Sequence, residues 1–171
     1  LLAAFSQIKT FVFDVDGVLT DGTLLLLPGG EMARTMNIKD GYALQLAVKQ
    51  GYPVFIISGG KSDLVRERLE KLGISQVYMG VQDKKTLLLN LLEQNSLDAA
   101  TTLFMGDDMP DLDAMQSAGF PCCPADACSE IKAVSRYVSP LAGGFGCARD
   151  VIEKVMKLQG KWQVVEGATS R

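Results

Sequence analysis

Short hydrophobic runs alternating with longer amphipathic stretches predict an α/β protein, an open and mostly parallel sheet with helices on both faces. Three observations carry this. The runs FVFDV (11–15), YPVFIIS (52–58) and TTLFMGDD (101–108) have the length and apolar content of buried strands. The stretches between them repeat apolar residues with helical spacing over about 10–14 residues. The 171-residue chain, 47% hydrophobic and 22% charged, suits a single domain over residues 1–171 with one full core.

Taken in order, FVFDV is a buried strand running into acids. Residues 22–37 form the one element outside the alternating rhythm, a hairpin insertion turning near Pro28. Its TLLLL run is apolar enough to favour contact with another subunit over a free edge. DGYALQLAVKQG (40–51) reads as a helix capped by Asp40 and closed at Gly51. YPVFIIS is the next strand, and SDLVRERLEKLG an amphipathic helix carrying Leu64, Arg68 and Leu72 at a spacing of four. QVYMG is a strand and DKKTLLLNLLEQN a helix. TTLFMGDD repeats the opening theme, a buried strand ending in glycine and acids. DLDAMQSAG, the FPCCP segment, CSEIKAVSRYVS and CARDVIEKVMKLQG complete the alternation. The tail, 161–171, loses periodicity and is expected to be flexible.

Composition removes several functions. Net charge is -3, with 17 basic and 20 acidic residues and no basic tract, which argues against a nucleic-acid surface. No apolar run approaches a membrane span, and LLAAF at the start lacks the basic and apolar regions of a signal peptide. Cys122, Cys123, Cys128 and Cys147 lack the paired spacing of a structural zinc site and read as buried thiols. Histidine is absent, so a Ser-His pair, a histidine base and a His-rich metal site are all excluded.

Sites in open α/β sheets form beyond the carboxyl ends of the strands. Three ends carry polar chemistry here: Asp14 and Asp16; Ser58 with Gly59 and Gly60; and Asp107, Asp108 and Asp111 after Gly106. Converging carboxylates repel, and a hard oxygen-preferring cation relieves them. Ser58 and the N–H groups after it can cradle an anion. Lys84 and Lys85 open a helix against its dipole, which asks for another reason such as a bound phosphate or the acids. The competing reading makes the aspartates and Ser58 turn and helix caps and leaves the lysines facing solvent. Capping explains one acidic strand end cheaply and two poorly. A carboxylate nucleophile, a metal, a hydroxyl and a lysine are the equipment of phosphoryl transfer.

DVDGVLTDG, IISG, Lys84 in GVQDKK and GDDMPD, in this order over nearly the whole chain, resemble the four motifs of the haloacid dehalogenase superfamily. Within it the chain resembles the small capless sugar-acid phosphatases acting on 3-deoxy-D-manno-octulosonate 8-phosphate, on NIKDGYALQLA, MGDDMPDLDAM, GFPCCPADA and GGFGCARDVIEKV. The resemblance implies a three-layer Rossmann-like core with a hairpin after the first strand and no cap domain. It implies Asp14 as nucleophile, Asp16 as general acid and base, and Mg²⁺ held by the Asp14 side chain, the Asp16 carbonyl and Asp107. Ser58, Gly59 and Lys84 then hold the phosphoryl group, with Asp111 and Asp108 placing waters or Lys84. It further implies a cytoplasmic homotetramer with active sites near subunit interfaces, making 3-deoxy-D-manno-octulosonate for lipopolysaccharide.

The pattern departs from the family at Lys39 and Gly60, where arginine is common. Lys61 and Arg66 are candidate replacements, and Lys39 and Arg149 candidate contacts for the substrate carboxylate. The alternatives are a phosphatase for a nine-carbon keto-sugar acid 9-phosphate, which glutamate at position 60 would favour, a non-catalytic module, and a phosphotransferase to an acceptor other than water.

Overall fold

The computed structural model describes residues 1–164 and 166–168; the last part of the tail expected to be flexible, with Val165, lies outside the described residues. Six parallel-paired strands form one sheet in the order β5-β4-β1-β6-β7-β8. They are β1 (Thr10–Phe13), β4 (Val54–Ile57), β5 (Gln76–Tyr78), β6 (Thr102–Met105), β7 (Phe120–Cys123) and β8 (Tyr137–Val138). From β1 the chain builds outward through β4 and β5, then returns to place β6, β7 and β8 on the other side. The reversal falls between β1 and β6, and a crevice opens there at their carboxyl ends.

Burial follows the period of two that strands impose. Phe11, Phe13, Val54, Ile56, Leu103 and Met105 join the core on one face, while Val12, Phe55, Ile57 and Phe104 join the core on the other. The first face is covered by α2 (Ile38–Lys49) and α7 (Cys147–Leu158), which pack on each other, with α1 (Leu2–Phe5) against α7. The second is covered by α4 (Lys84–Gln94), α5 (Leu112–Ser117) and α6 (Ser129–Val134). Thus the predicted α/β class, parallel sheet and two helical layers are all present.

Helix details correct the sequence reading in two places. Asn37, rather than Asp40, caps α2, accepting from Lys39 N at 2.8 Å; Asp40 lies in the first turn and is buried. In α3 (Asp63–Lys71) the buried side is Val65 and Leu69, continued by Leu72, while Leu64 is exposed. The hairpin is observed as β2 (Leu25–Leu26) pairing antiparallel with β3 (Met32–Ala33), both on the surface. Among the described residues no helix is long and apolar enough to cross a membrane.

Candidate active site

β1 and β6 deliver their acids to one place because they are paired up to the last residue. Phe13 is in register with Met105, and Asp14 N donates to Met105 O at 3.1 Å. Gly106 and Asp107 follow β6 as Asp14 follows β1, and the short turn Met109–Asp111 brings Asp111 back beneath them. Carboxylate oxygens of Asp14, Asp107 and Asp111 all lie within 4.8 Å of one another.

Lys84, at the start of α4, explains its unfavourable place on the helix dipole. Its Nζ lies 2.7 Å from Asp111 Oδ1 and 2.9 Å from Asp14 Oδ1, and the residue is 4% exposed. The Asp111 contact is a hydrogen bond. The Asp14 contact is charge pairing without hydrogen-bond alignment, so Asp14 Oδ1 remains a buried acceptor with no hydrogen-bond donor. Asp111 is occupied at both ends, since its Oδ2 accepts from Asp107 N at 3.0 Å. It therefore orients Lys84 and the start of the 107 loop, leaving Asp14 and Asp107 with the open oxygens.

One lysine does not offset this much negative charge. Burial, then the charge of Asp111, pushes Asp14 up to about 7, against the opposing pull of Lys84. Burial followed by the charges of Asp14, Asp111 and Asp108 pushes Asp107 up to about 8. A buried Asp14 oxygen without a donor, beside the second raised acid Asp107, is the donor set a hard divalent cation takes, so the residues fit Mg²⁺. The turn after Asp16 is tailored to the cluster: a Cβ on Gly17, whose φ is +88°, would stand 2.0 Å from Asp107 Oδ2.

The residue after β4 is Ser58, which is buried and accepts from Gly60 N through Oγ at 3.2 Å. With Gly59, Gly60 and the acids it lines a cleft of about 290 Å³ that also includes Asp16 and Asp108. Asp108 is exposed and caps the Met109–Asp111 turn, accepting from Met109 N at 2.8 Å. Asp21, the third acid of the opening motif, is spent locally on the N–H and hydroxyl of Thr23.

The four residues expected to contact a substrate carboxylate do not line this cleft. Lys39 and Arg149 line a larger cleft of about 610 Å³ along α7. The charges there are largely matched within the helix, Arg149 and Lys157 with Glu153 and Lys154 with Asp150, so the smaller cleft is the chemical one. Arg149 also lies over the Trp162 ring at 5.3 Å. The Lys61 stem crosses over Gly80, and Arg66 Nη1 donates to Val77 O at 2.7 Å.

Arg34 went unmarked in the sequence, and Asp40 was marked only as a helix cap. Arg34, just after β3, grips Asp16 through two bonds, Nε to Oδ1 at 2.6 Å and Nη2 to Oδ2 at 3.1 Å. Asp40 accepts from Arg149 N at 2.7 Å and so ties α2 to the first turn of α7. A lone cation within an apolar hairpin was the available signal for Arg34.

A family model for haloacid dehalogenase-like hydrolases matches residues 32–125. The chain is 33% identical over 167 residues to the 3-deoxy-D-manno-octulosonate 8-phosphate phosphatase of Escherichia coli, covering 98% of this chain and 89% of that one. The structure is similar to that of the Moraxella catarrhalis 3-deoxy-D-manno-octulosonate 8-phosphate phosphatase, which holds magnesium, phosphate and the sugar acid. The TM-score is 0.90 at 34% identity, covering 94% of this chain and 92% of that one. It is also similar to the cobalt-bound Haemophilus influenzae phosphatase, with a TM-score of 0.89 at 32% identity and 96% of both chains covered.

Proposed function

The chain belongs to the haloacid dehalogenase-like hydrolases, and from that membership we propose a Mg²⁺-dependent phosphomonoesterase that hydrolyses 3-deoxy-D-manno-octulosonate 8-phosphate to the free sugar acid and phosphate. The observation that carries the reading is the buried Lys84 between Asp14 and Asp111, with Asp107 beside them and too little positive charge for the group. The full-length similarity to phosphatases of this ester supports the substrate.

In this reading Asp14 attacks phosphorus and the ester oxygen departs, leaving an aspartyl phosphate. Asp16 gives its proton to the departing oxygen, then takes one from the water that releases phosphate. Ser58, the Gly59 N–H and Lys84 hold the phosphoryl oxygens in line, and Lys84 screens Asp14 from the dianion it approaches. Asp111, with both oxygens engaged, fixes Lys84; Asp108 at the rim orders water. Mg²⁺ held by Asp14, Asp107 and the Asp16 carbonyl supplies neutralisation of the phosphoryl charge. Lys39, Lys61, Arg66 and Arg149 lie outside the acid cleft of one chain, so any part they take in binding the sugar acid comes through a neighbouring copy or substrate reaching past the cleft.

The reading includes one catalytic domain over residues 1–171, a cytoplasmic setting, and a homotetramer with clefts near subunit interfaces. Leu25 and Leu26 are 65% and 72% exposed on the hairpin, apolar surface that a second copy would cover. Phosphate release from the eight-carbon ester and from a nine-carbon keto-sugar acid 9-phosphate, each with and without Mg²⁺, tests the assignment. We expect Mg²⁺-dependent turnover favouring the eight-carbon ester, and no turnover by Asp14→Asn. A tenfold preference for the nine-carbon ester would reverse the substrate; unimpaired Asp14→Asn would remove the mechanism.

A further inference from the structure

We propose that Arg34 is the receptor for the substrate's own carboxylate, and that binding it there releases Asp16 for catalysis. The inference rests on the phosphatase reading and names a specificity residue within it.

The Arg34 side chain is 5% exposed and both of its bonds to Asp16 engage that carboxylate. A third bond, Nη1 to Met32 O at 3.1 Å, fixes the guanidinium on the hairpin. Held by both oxygens, Asp16 has neither one turned freely toward a departing ester oxygen. The guanidinium and the Asp16 carboxylate occupy the space beside residue 60, which is open to them because that residue is glycine. A Cβ there would meet Asp16 Oδ2 at 2.7 Å and Arg34 Nη2 at 3.0 Å. The hairpin thus delivers its cation to the spot a side chain at 60 would enter.

The pair also stands on a boundary. Asp16 and Gly60 line the acid cleft, whereas Arg34 lines a neighbouring groove of similar volume, about 290 Å³, together with Ser62 and Arg68. A sugar-acid phosphate with its phosphate on the Asp14 side can direct its far end across this boundary. There a carboxylate replaces Asp16 on the Arg34 fork. One carboxylate exchanges for another, so the guanidinium is never left unpaired. An ester lacking a carboxylate has nothing to offer in exchange, leaving Asp16 held.

The test compares kcat/KM for 3-deoxy-D-manno-octulosonate 8-phosphate with that for a five-carbon aldose 5-phosphate, which keeps a primary phosphate ester and lacks the acid. Wild-type protein should prefer the acid-bearing ester. In Arg34→Met the ratio should fall by about 30-fold or more, mostly through KM for the acid-bearing ester, with Arg34→Lys intermediate. Arg34→Met combined with Gly60→Arg should regain part of the preference, since the added side chain starts beside the vacated space. If both esters decline together in Arg34→Met, the ratio holding, Arg34 is a strut or a phosphate ligand and the proposal is lost. Circular dichroism of each variant separates that result from misfolding, and in a misfolded Arg34→Met the Arg34→Lys ratio decides: a wild-type ratio overturns the proposal, since a point charge cannot reproduce the fork. Wild-type turnover of both esters without preference overturns the receptor while sparing the phosphatase reading; turnover of neither overturns both.

Discussion

Replacing Gly17 with alanine tests whether the turn after β1 and the acid after β6 share one site. The new Cβ would stand 2.0 Å from Asp107 Oδ2, where ordinary contact begins at 3.4 Å. The carboxylate must therefore retreat by about 1.4 Å, or the turn must move by as much. The backbone adds its own cost, because φ of +88° is a conformation that a Cβ disfavours by about 1–2 kcal/mol. Gly51 supplies the control: its φ is +82° and an added Cβ meets nothing within 4 Å. Gly51→Ala should lose about 1 kcal/mol in urea unfolding from backbone strain alone. Gly17→Ala should lose about 2–4 kcal/mol, the strain together with the forced displacement. Moving Asp107 also eases its repulsion with Asp14 and Asp111, which reduces that loss, so metal binding is the decisive measurement. Ligand distances hold within about 0.2 Å, and a displacement this large should weaken Mg²⁺ about 10–100-fold. Calorimetric titration should show this for Gly17→Ala and wild-type affinity for Gly51→Ala. Equal Mg²⁺ affinity in the two variants would refute the shared site.

Lys84→Met removes the cation between Asp14 and Asp111 and should cost about 3–5 kcal/mol at pH 8.5. The loss should shrink at pH 5.5, where Asp14, already raised to about 7, takes up a proton; urea unfolding at both pH values checks it. Mg²⁺ binding should also depend on pH, since Asp14 at about 7 and Asp107 at about 8 must lose their protons to hold the ion. Apparent affinity should rise between pH 6 and 8.5 by up to about tenfold per proton per pH unit, and calorimetry in two buffers counts the protons released; a flat profile contradicts the raised values. Asp40 is raised by burial to about 6, above its unfolded value of 3.8. The folded state therefore holds its proton more tightly, and this contribution to stability is present at pH 4 and lost as pH rises through 6. Asp40→Asn keeps an acceptor for Arg149 N, so stability relative to wild type should improve by about 2–3 kcal/mol between pH 4 and pH 7.5; identical pH profiles would contradict it.

What could be read from the sequence, and what could not, divides by the range of the interaction. Phe11 to Val15 announce a buried strand by composition, and acids after two such strands announce a site, because both signals are local in the chain. Lys84 announced itself by violating a local rule, a cation on a helix N-terminus. Asp40 sent the wrong signal for the same reason: an aspartate near a helix start reads as that helix's cap, yet its carboxylate serves α7, 109 positions away. Leu64 was misplaced because a spacing of four from Leu64 and one from Val65 are equally helical, and only the sheet decides which side is covered. Arg34 offered only its oddity as a lone cation in an apolar hairpin, because it reaches Asp16 from an insertion whose path the alternating pattern does not predict.

The acids of the cleft differ less in type than in counterion. Asp16 has a guanidinium on both oxygens; Asp111 has a lysine on one and a backbone N–H on the other; Asp14 and Asp107 are left short of positive charge. Metal demand therefore falls on the acids that face each other across β1 and β6, while the acid assigned to proton transfer is reserved by a residue outside the core. A net charge of -3 conceals this division entirely. It also limits what can be inferred from a single motif position. Gly60 looks like the loss of a cation when the motif is read along the chain, yet in space the cation is present, carried in by the hairpin. Positions 34 and 60 compete for one volume, so substituting either alone measures the other's response as much as its own contribution.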